Sequence, residues 1–152
     1  MLKKRLGIEA IENIWLMNKN INDYFKIPFT LNIPEGCVII GAFVFWCCRE
    51  LREVTIPKSV KEIGDSAFRG CRNLREAIIP EGVKEIGIST FAGCKKLERV
   101  EIPESCEKIG NYAFENCHNA TIILRKPKSE YAEFIEVYVF DGVKDVKEEV
   151  GN

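Results

Sequence analysis

Residues 31–122 repeat one pattern four times at a fixed period of 23. Stacked at that offset they read LNIPEGCVIIGAFVFWCCRELRE, VTIPKSVKEIGDSAFRGCRNLRE, AIIPEGVKEIGISTFAGCKKLER and VEIPESCEKIGNYAFENCHNATI. A period in this range marks a solenoid, in which each repeat is one supersecondary unit that buries its apolar side only against its neighbours. The period therefore dictates that residues be read as columns, one side chain per rung.

The strand columns are Leu51/Leu74/Leu97, Val54/Ala77/Val100 and Ile33/Ile56/Ile79/Ile102. Together they spell L-x-x-V-x-I, the strand signature of a leucine-rich repeat, with alternate residues pointing inward from a parallel sheet. Pro34, Pro57, Pro80 and Pro103 end each strand where the ladder no longer needs an amide. Val60/Val83 and Ile40/Ile63/Ile86/Ile109 form a second apolar pair, and Gly41, Gly64, Gly87 and Gly110 follow, expected at a turn with positive φ. Phe45, Phe68, Phe91 and Phe114 fill the middle of the coil. Two residues later stand Gly70, Gly93 and Asn116, a left-handed position expected to close a short helical turn.

The phase continues through Ile135, Val139, Phe140, Gly142, Val143 and Val146 after a three-residue insertion near Lys126–Glu130. This gives three regions: a capping segment over 1–30, four repeats over 31–122, and a degenerate fifth repeat with a C-terminal cap over 123–152. In the first region Leu6, Ile8, Ile11, Ile14 and Trp15 lie on one helical stripe, which predicts an amphipathic capping helix. The first repeat carries Phe43, Trp46 and Cys47 where later ones carry Ser66, Arg69 and Gly70. An apolar patch on a terminal rung is more often covered by its own cap. The alternative is end-on contact through Phe43 and Trp46, which makes the chain a monomer or a weak dimer.

The full pattern, L-x-x-V-x-I-P-x-x-V-x-x-I-G-x-x-A-F-x-x-C-x-x-L, resembles the 23-residue leucine-rich repeats of the BspA-like (Treponema-type) family, closely over 31–122 and loosely over 123–146. The resemblance implies an α/β repeat solenoid: a short right-handed superhelix with a parallel sheet on its concave side. It also implies a protein-interaction module, or a cell-surface or secreted adhesin that binds host or matrix proteins.

Composition limits the compartment and partner. Acidic residues number 23 and basic residues 22, so no global charge recommends nucleic acid or an anionic membrane. The start MLKKRLGIEAIENIW is basic, but Glu9 and Glu12 interrupt any signal-like apolar run. The longest apolar stretch, CVIIGAFVFWCC, falls short of the roughly 18 residues that span a bilayer. It lies in register with the repeats, so it reads as core. A cytoplasmic protein is expected from the sequence as it stands, or a surface protein if an export signal precedes it.

The seven cysteines invite metal or disulfide readings. Cys48, Cys71, Cys94 and Cys117 are one period apart, and Val143 takes the same place in the fifth rung, so the column asks for a small apolar side chain. Cys37 and Cys106 share the column of Val60 and Val83. Zinc sites need spaced, converging pairs, and only the adjacent Cys47 and Cys48 are close. Reduced structural thiols are the reading. Cys117 and His118 adjoin, but neighbours on a rung point in different directions, so no nucleophile is assigned. No catalytic residue, metal site or cofactor is expected, and the chain reads as non-enzymatic.

Two surfaces remain for an unidentified protein partner. Outward positions of the strands are Glu53, Thr55, Glu76, Ile78, Arg99 and Glu101. A basic column, Arg49, Arg72, Lys95 and His118, is backed by Arg52, Arg75 and Lys96. Like charges at rung spacing repel. The simpler expectation is compensation by Glu50, Glu53, Glu76 and Glu98 in a solvated ion network, and the sharper one is an anion-binding strip.

Overall fold

In the computed structural model, residues 29–131 and 138–151 are described. One six-stranded sheet runs in the order β1 (Phe29–Asn32), β3 (Leu51–Thr55), β5 (Glu76–Ile78), β7 (Arg99–Ile102), β9 (Thr121–Leu124), β10 (Asp145–Glu148). A second sheet interleaves with it in sequence: β2 (Ile39–Ile40), β4 (Glu62–Ile63), β6 (Glu85–Ile86), β8 (Lys108–Ile109). Every pairing is parallel, as a coil winding in one direction requires. Equivalent residues face one another one period apart, Val54 opposite Ala77 and Ile63 opposite Ile86.

The third side of each rung is made of turns, yet it carries its own ladder. The amides of Phe45, Phe68 and Phe91 donate to the carbonyls of Ala67, Thr90 and Ala113 in the next rung, at 2.9, 2.9 and 2.8 Å. Two residues on, Cys47, Gly70 and Gly93 donate likewise to Arg69, Ala92 and Glu115. The backbone polar groups at this corner are thus satisfied between rungs, which lets the corner be buried. The insertion after β9 is absorbed without loss: Phe114 and Asn116 reach the carbonyls of Val139 and Asp141, keeping the ladder intact three residues further along.

The α/β class expected from the family resemblance is corrected here. Among the described residues the single helical element is a 3-10 turn, Lys128–Tyr131. The cause is local: φ is positive at Phe43, Ser66, Ser89 and Tyr112, and again four residues later at Cys47, Gly70, Gly93 and Asn116. Three residues between two left-handed ones cannot complete an α-helical turn, so the segment closes through tight bonds such as Trp46 N–H to the Phe43 carbonyl at 3.1 Å. The left-handed positions at Gly70, Gly93 and Asn116 occur as expected, with φ of 74, 73 and 60°; the helical turn they were to close does not. The predicted capping helix falls outside the described residues.

The Gly64/Gly87/Gly110 column also serves a different purpose from the one predicted. Its residues do not have positive φ. A Cβ at Gly110 would lie 2.5 Å from the Ile88 nitrogen and 2.7 Å from the Gly87 carbonyl carbon. The glycines permit backbone to pack on backbone between rungs.

The core runs as stacked columns. Phe45, Phe68, Phe91 and Phe114 are buried, with parallel rings 5.1, 5.4 and 5.5 Å apart. Phe140 continues the stack at 6.1 Å, which places the degenerate fifth rung in phase. Gly142, with φ of 71°, continues the left-handed column. The turn after each proline alternates in chemistry: Ser59 Oγ accepts from the Gly36 amide and donates to the Cys37 carbonyl, and Ser105 does the same for Gly82 and Val83.

Phe91 has a stacked ring on both sides, so truncating it leaves a cavity that the rungs cannot close. Phe91→Ala is expected to cost about 3–5 kcal/mol in urea-unfolding measurements; a loss under about 1 kcal/mol contradicts the stacked core.

Candidate interaction surfaces

The parallel sheet sets the outer-face candidates in two rows. Glu53, Glu76 and Arg99 face one another across β3, β5 and β7. Thr55 lies opposite Ile78 in the neighbouring row. Inward residues of the same strands, Val54, Ala77 and Val100, are buried in alternation with their neighbours, while Leu51 is buried out of strict alternation, with Arg52 and Glu53 both exposed before Val54. Ile78 is 62% exposed in the middle of charged neighbours. Glu101 is already engaged. Its carboxylate accepts from Arg99 at 2.6 Å and from Arg125, and these guanidinium hydrogen bonds hold its pKa below the usual carboxylate value. Arg125 was not legible as a partner, since it lies past the four regular repeats and directly before the insertion at Lys126–Glu130, where the repeat alignment weakens.

The basic column divides. Arg72, Lys95 and His118 line an open trough of ≈ 880 Å³ on the corner between the turns and the strands. Phe43, Trp46 and Arg69 line it too, the last a residue that column reading of the sequence passed over. Arg52 lies within β3, and Arg75 directly precedes β5; neither joins the trough. Arg49 heads the column outside that lining, its carbonyl accepting from Asn73 Nδ2 at 2.8 Å. His118 Nδ1 lies 3.0 Å from the Gly142 carbonyl, and because a carbonyl only accepts, Nδ1 carries the proton.

Phe43 and Trp46, expected either beneath a cap or in end-on contact, are 60% and 46% exposed, and the capping helix falls outside the described residues. Their rung positions explain the exposure. Phe43 occupies a left-handed corner, and Trp46 shares its column with the exposed Arg69, so both project sideways from the coil.

The compensating ion network also differs from expectation. The described ion pairs join Lys84 to Glu107, Lys108 to Glu85, Arg99 and Arg125 to Glu101, Arg125 to Glu149 and Lys147 to Asp145. None of them involves Arg69, Arg72 or Lys95. A second concavity of ≈ 450 Å³ lies beside the short strands over the Gly64/Gly87/Gly110 column. Three of its charged groups are internally used: Lys108 pairs with Glu85 at 2.6 Å and Asp65 Oδ1 accepts from the Ile88 amide at 2.7 Å.

No disulfide joins the described cysteines, and five of the seven are buried. Cys71, Cys94 and Cys117 donate their thiol protons to the carbonyls of Phe45, Phe68 and Phe91 in the preceding rung, at 3.1, 3.2 and 3.1 Å. The column therefore selects a small apolar residue that can also donate, a refinement that spacing did not reveal. Cys117 is directed into the core and His118 to Gly142, so the two share no hydrogen bond in a dyad. No cluster of three or more His, Cys, Asp or Glu among the described residues could hold a metal ion. No helix among them is long and apolar enough to cross a membrane.

Comparison with known proteins agrees with this architecture. The family model described as the BspA-type leucine-rich repeat region matches residues 16–147 in 6 copies. A leucine-rich repeat protein from Bacteroides ovatus is 29% identical, with a TM-score of 0.57; the match covers 79% of this chain and 33% of that one. This chain thus spans about a third of that relative's length. A leucine-rich repeat protein from T. pallidum is 23% identical, with a TM-score of 0.51 over 79% of this chain and 73% of that one, a likeness of fold alone. No curated protein matches.

Burial pushes the thiols of Cys48, Cys106 and Cys117 up from 9.0 to about 12. Once unfolded, these groups lose protons near pH 9 while the folded ones keep them, so stability falls as pH rises from about 9 towards 12. The slope expected is about 1.4 kcal/mol per pH unit for each such thiol. Urea midpoints measured across this window should fall, and Cys117→Val should reduce the slope; an unchanged slope contradicts the buried-thiol account.

Proposed function

Since the chain belongs to the BspA-type leucine-rich repeat family, we propose that it is a non-enzymatic protein-interaction module. In this reading the outer face of the six-stranded sheet, on the concave side of a right-handed superhelix, presents its two rows of side chains to a protein partner. The observation that carries the reading is Ile78, an aliphatic side chain 62% exposed, in register with Thr55 and beside Glu53, Glu76 and Arg99. An apolar centre within a polar rim is the usual anatomy of a protein-binding patch. Rigid strands hold these groups at rung spacing, so little side-chain order has to be gained on binding.

A photo-crosslinking side chain at position 78 tests the surface in an extract of the source cells. A discrete adduct is expected there and not with the same group at position 58 in the turn after β3. Charge reversal by Glu76→Lys with Arg99→Glu should abolish the adduct without changing the unfolding midpoint. Equal adducts at 78 and 58, or an adduct unaffected by the reversals, overturns the assignment of this face.

A further inference from the structure

Two features that look unrelated in sequence, the basic column and the aromatic pair of the first rung, line one trough. We propose that this trough docks an extended acidic peptide that places an aromatic side chain against Trp46 and Phe43. It lies on a different face from the sheet surface above, so the two assignments stand or fall separately.

The floor supports close approach of a peptide backbone at Gly93. The left-handed column runs Cys47, Gly70, Gly93, Asn116 along the solenoid. Cys47 and Asn116 adopt φ of 55 and 60° with side chains present, so the conformation alone does not demand glycine. Glycine at position 93 leaves the trough open, a Cβ there meeting nothing nearer than the Gly70 Cα at 3.9 Å, whereas the Cys47 Sγ already lies over Gly70. Four rungs at strand spacing extend about 14 Å, the length of about four extended residues.

The walls specify charge. Arg69, Arg72 and Lys95 line the trough against a single carboxylate, Glu115. All three cations are exposed, and none takes part in an ion pair among the described residues. His118 adds a ring whose Nδ1 proton is committed to the Gly142 carbonyl. Stacked like charges raise the local positive potential, and an incoming row of carboxylates relieves their repulsion. The aromatic pair stands at one end only, which gives the site a direction.

These features favour a peptide over a nucleic acid. Single-strand binders supply stacking platforms along the groove, one base after another. Here the aromatics are confined to one rung, Ala92 and Glu115 replace Trp46 further along its column, and the chain's net charge is -1.

Fluorescence anisotropy on the full chain tests the proposal, with fluorescein-labelled FEEEE and EEEEF as probes of the two directions. One of them should bind saturably with Kd below about 1 mM and weaken as salt rises. Arg72→Glu with Lys95→Glu should weaken that binding by about tenfold or more, and the uncharged pair Arg72→Gln with Lys95→Gln should also weaken it. Trp46→Ala should weaken the aromatic peptide and leave aromatic-free EEEEG unchanged. Lys58→Glu with Lys61→Glu, on another corner, should leave all affinities as they were, and unfolding midpoints check that every variant is folded. Absence of saturable binding at low salt overturns the proposal. So does equal loss in the Lys58/Lys61 variant, wild-type affinity in the Gln pair, or tighter binding of a short single-stranded oligodeoxynucleotide.

Discussion

Every rung of this molecule is completed by hydrogen bonds to the next one. A 23-residue coil has too little interior to bury a phenylalanine alone, and its corners carry amides that no local turn can satisfy. Both needs are met across the rung interface. The two parallel sheets take care of two sides, and the ladder from Phe45, Phe68 and Phe91 to the carbonyls ahead takes care of the third. The stacked rings, the glycine column and the buried thiols all follow from that requirement, since each has to repeat at the spacing the backbone sets.

The cysteine column shows how one constraint hides another. Small size and apolarity explain why Val143 can stand in the fifth rung, and they make the metal and nucleophile readings unattractive. They do not explain cysteine over valine or alanine in four rungs. The bonds from Cys71, Cys94 and Cys117 to phenylalanine carbonyls supply a reason, because each buried carbonyl gains a second donor without a side chain large enough to spread the rungs. Thr90 meets the same need differently, its hydroxyl donating to Gly87 and lying 3.2 Å from the Gly64 carbonyl.

Much of this was legible in sequence because period and burial coincide. The inward columns at Leu51, Val54, Phe68 and Ile86 could be assigned from repetition alone, as could the left-handed site at Gly70. Two kinds of information were not. The first is φ at non-glycine residues: Ser66 and Ser89 give no sign of a left-handed corner, so a helical turn was expected where two such corners forbid one. The second is proximity between different columns. Trp46 and Lys95 are remote in the repeat alignment, and only the folded corner puts them on one trough. The ion pairs of Glu101 were likewise hidden, because Arg125 sits beyond the regular part of the array.

The central claim is that stability resides in the interfaces between rungs, on all three sides. Residue-resolved amide hydrogen exchange tests it most directly. The account predicts that the turn amides of Phe68, Gly70, Phe91 and Gly93 are protected as strongly as those of β5 and β7, with protection recurring every 23 residues and declining towards the end rungs. Fast exchange at those turn amides, with protection confined to the strands, would contradict it.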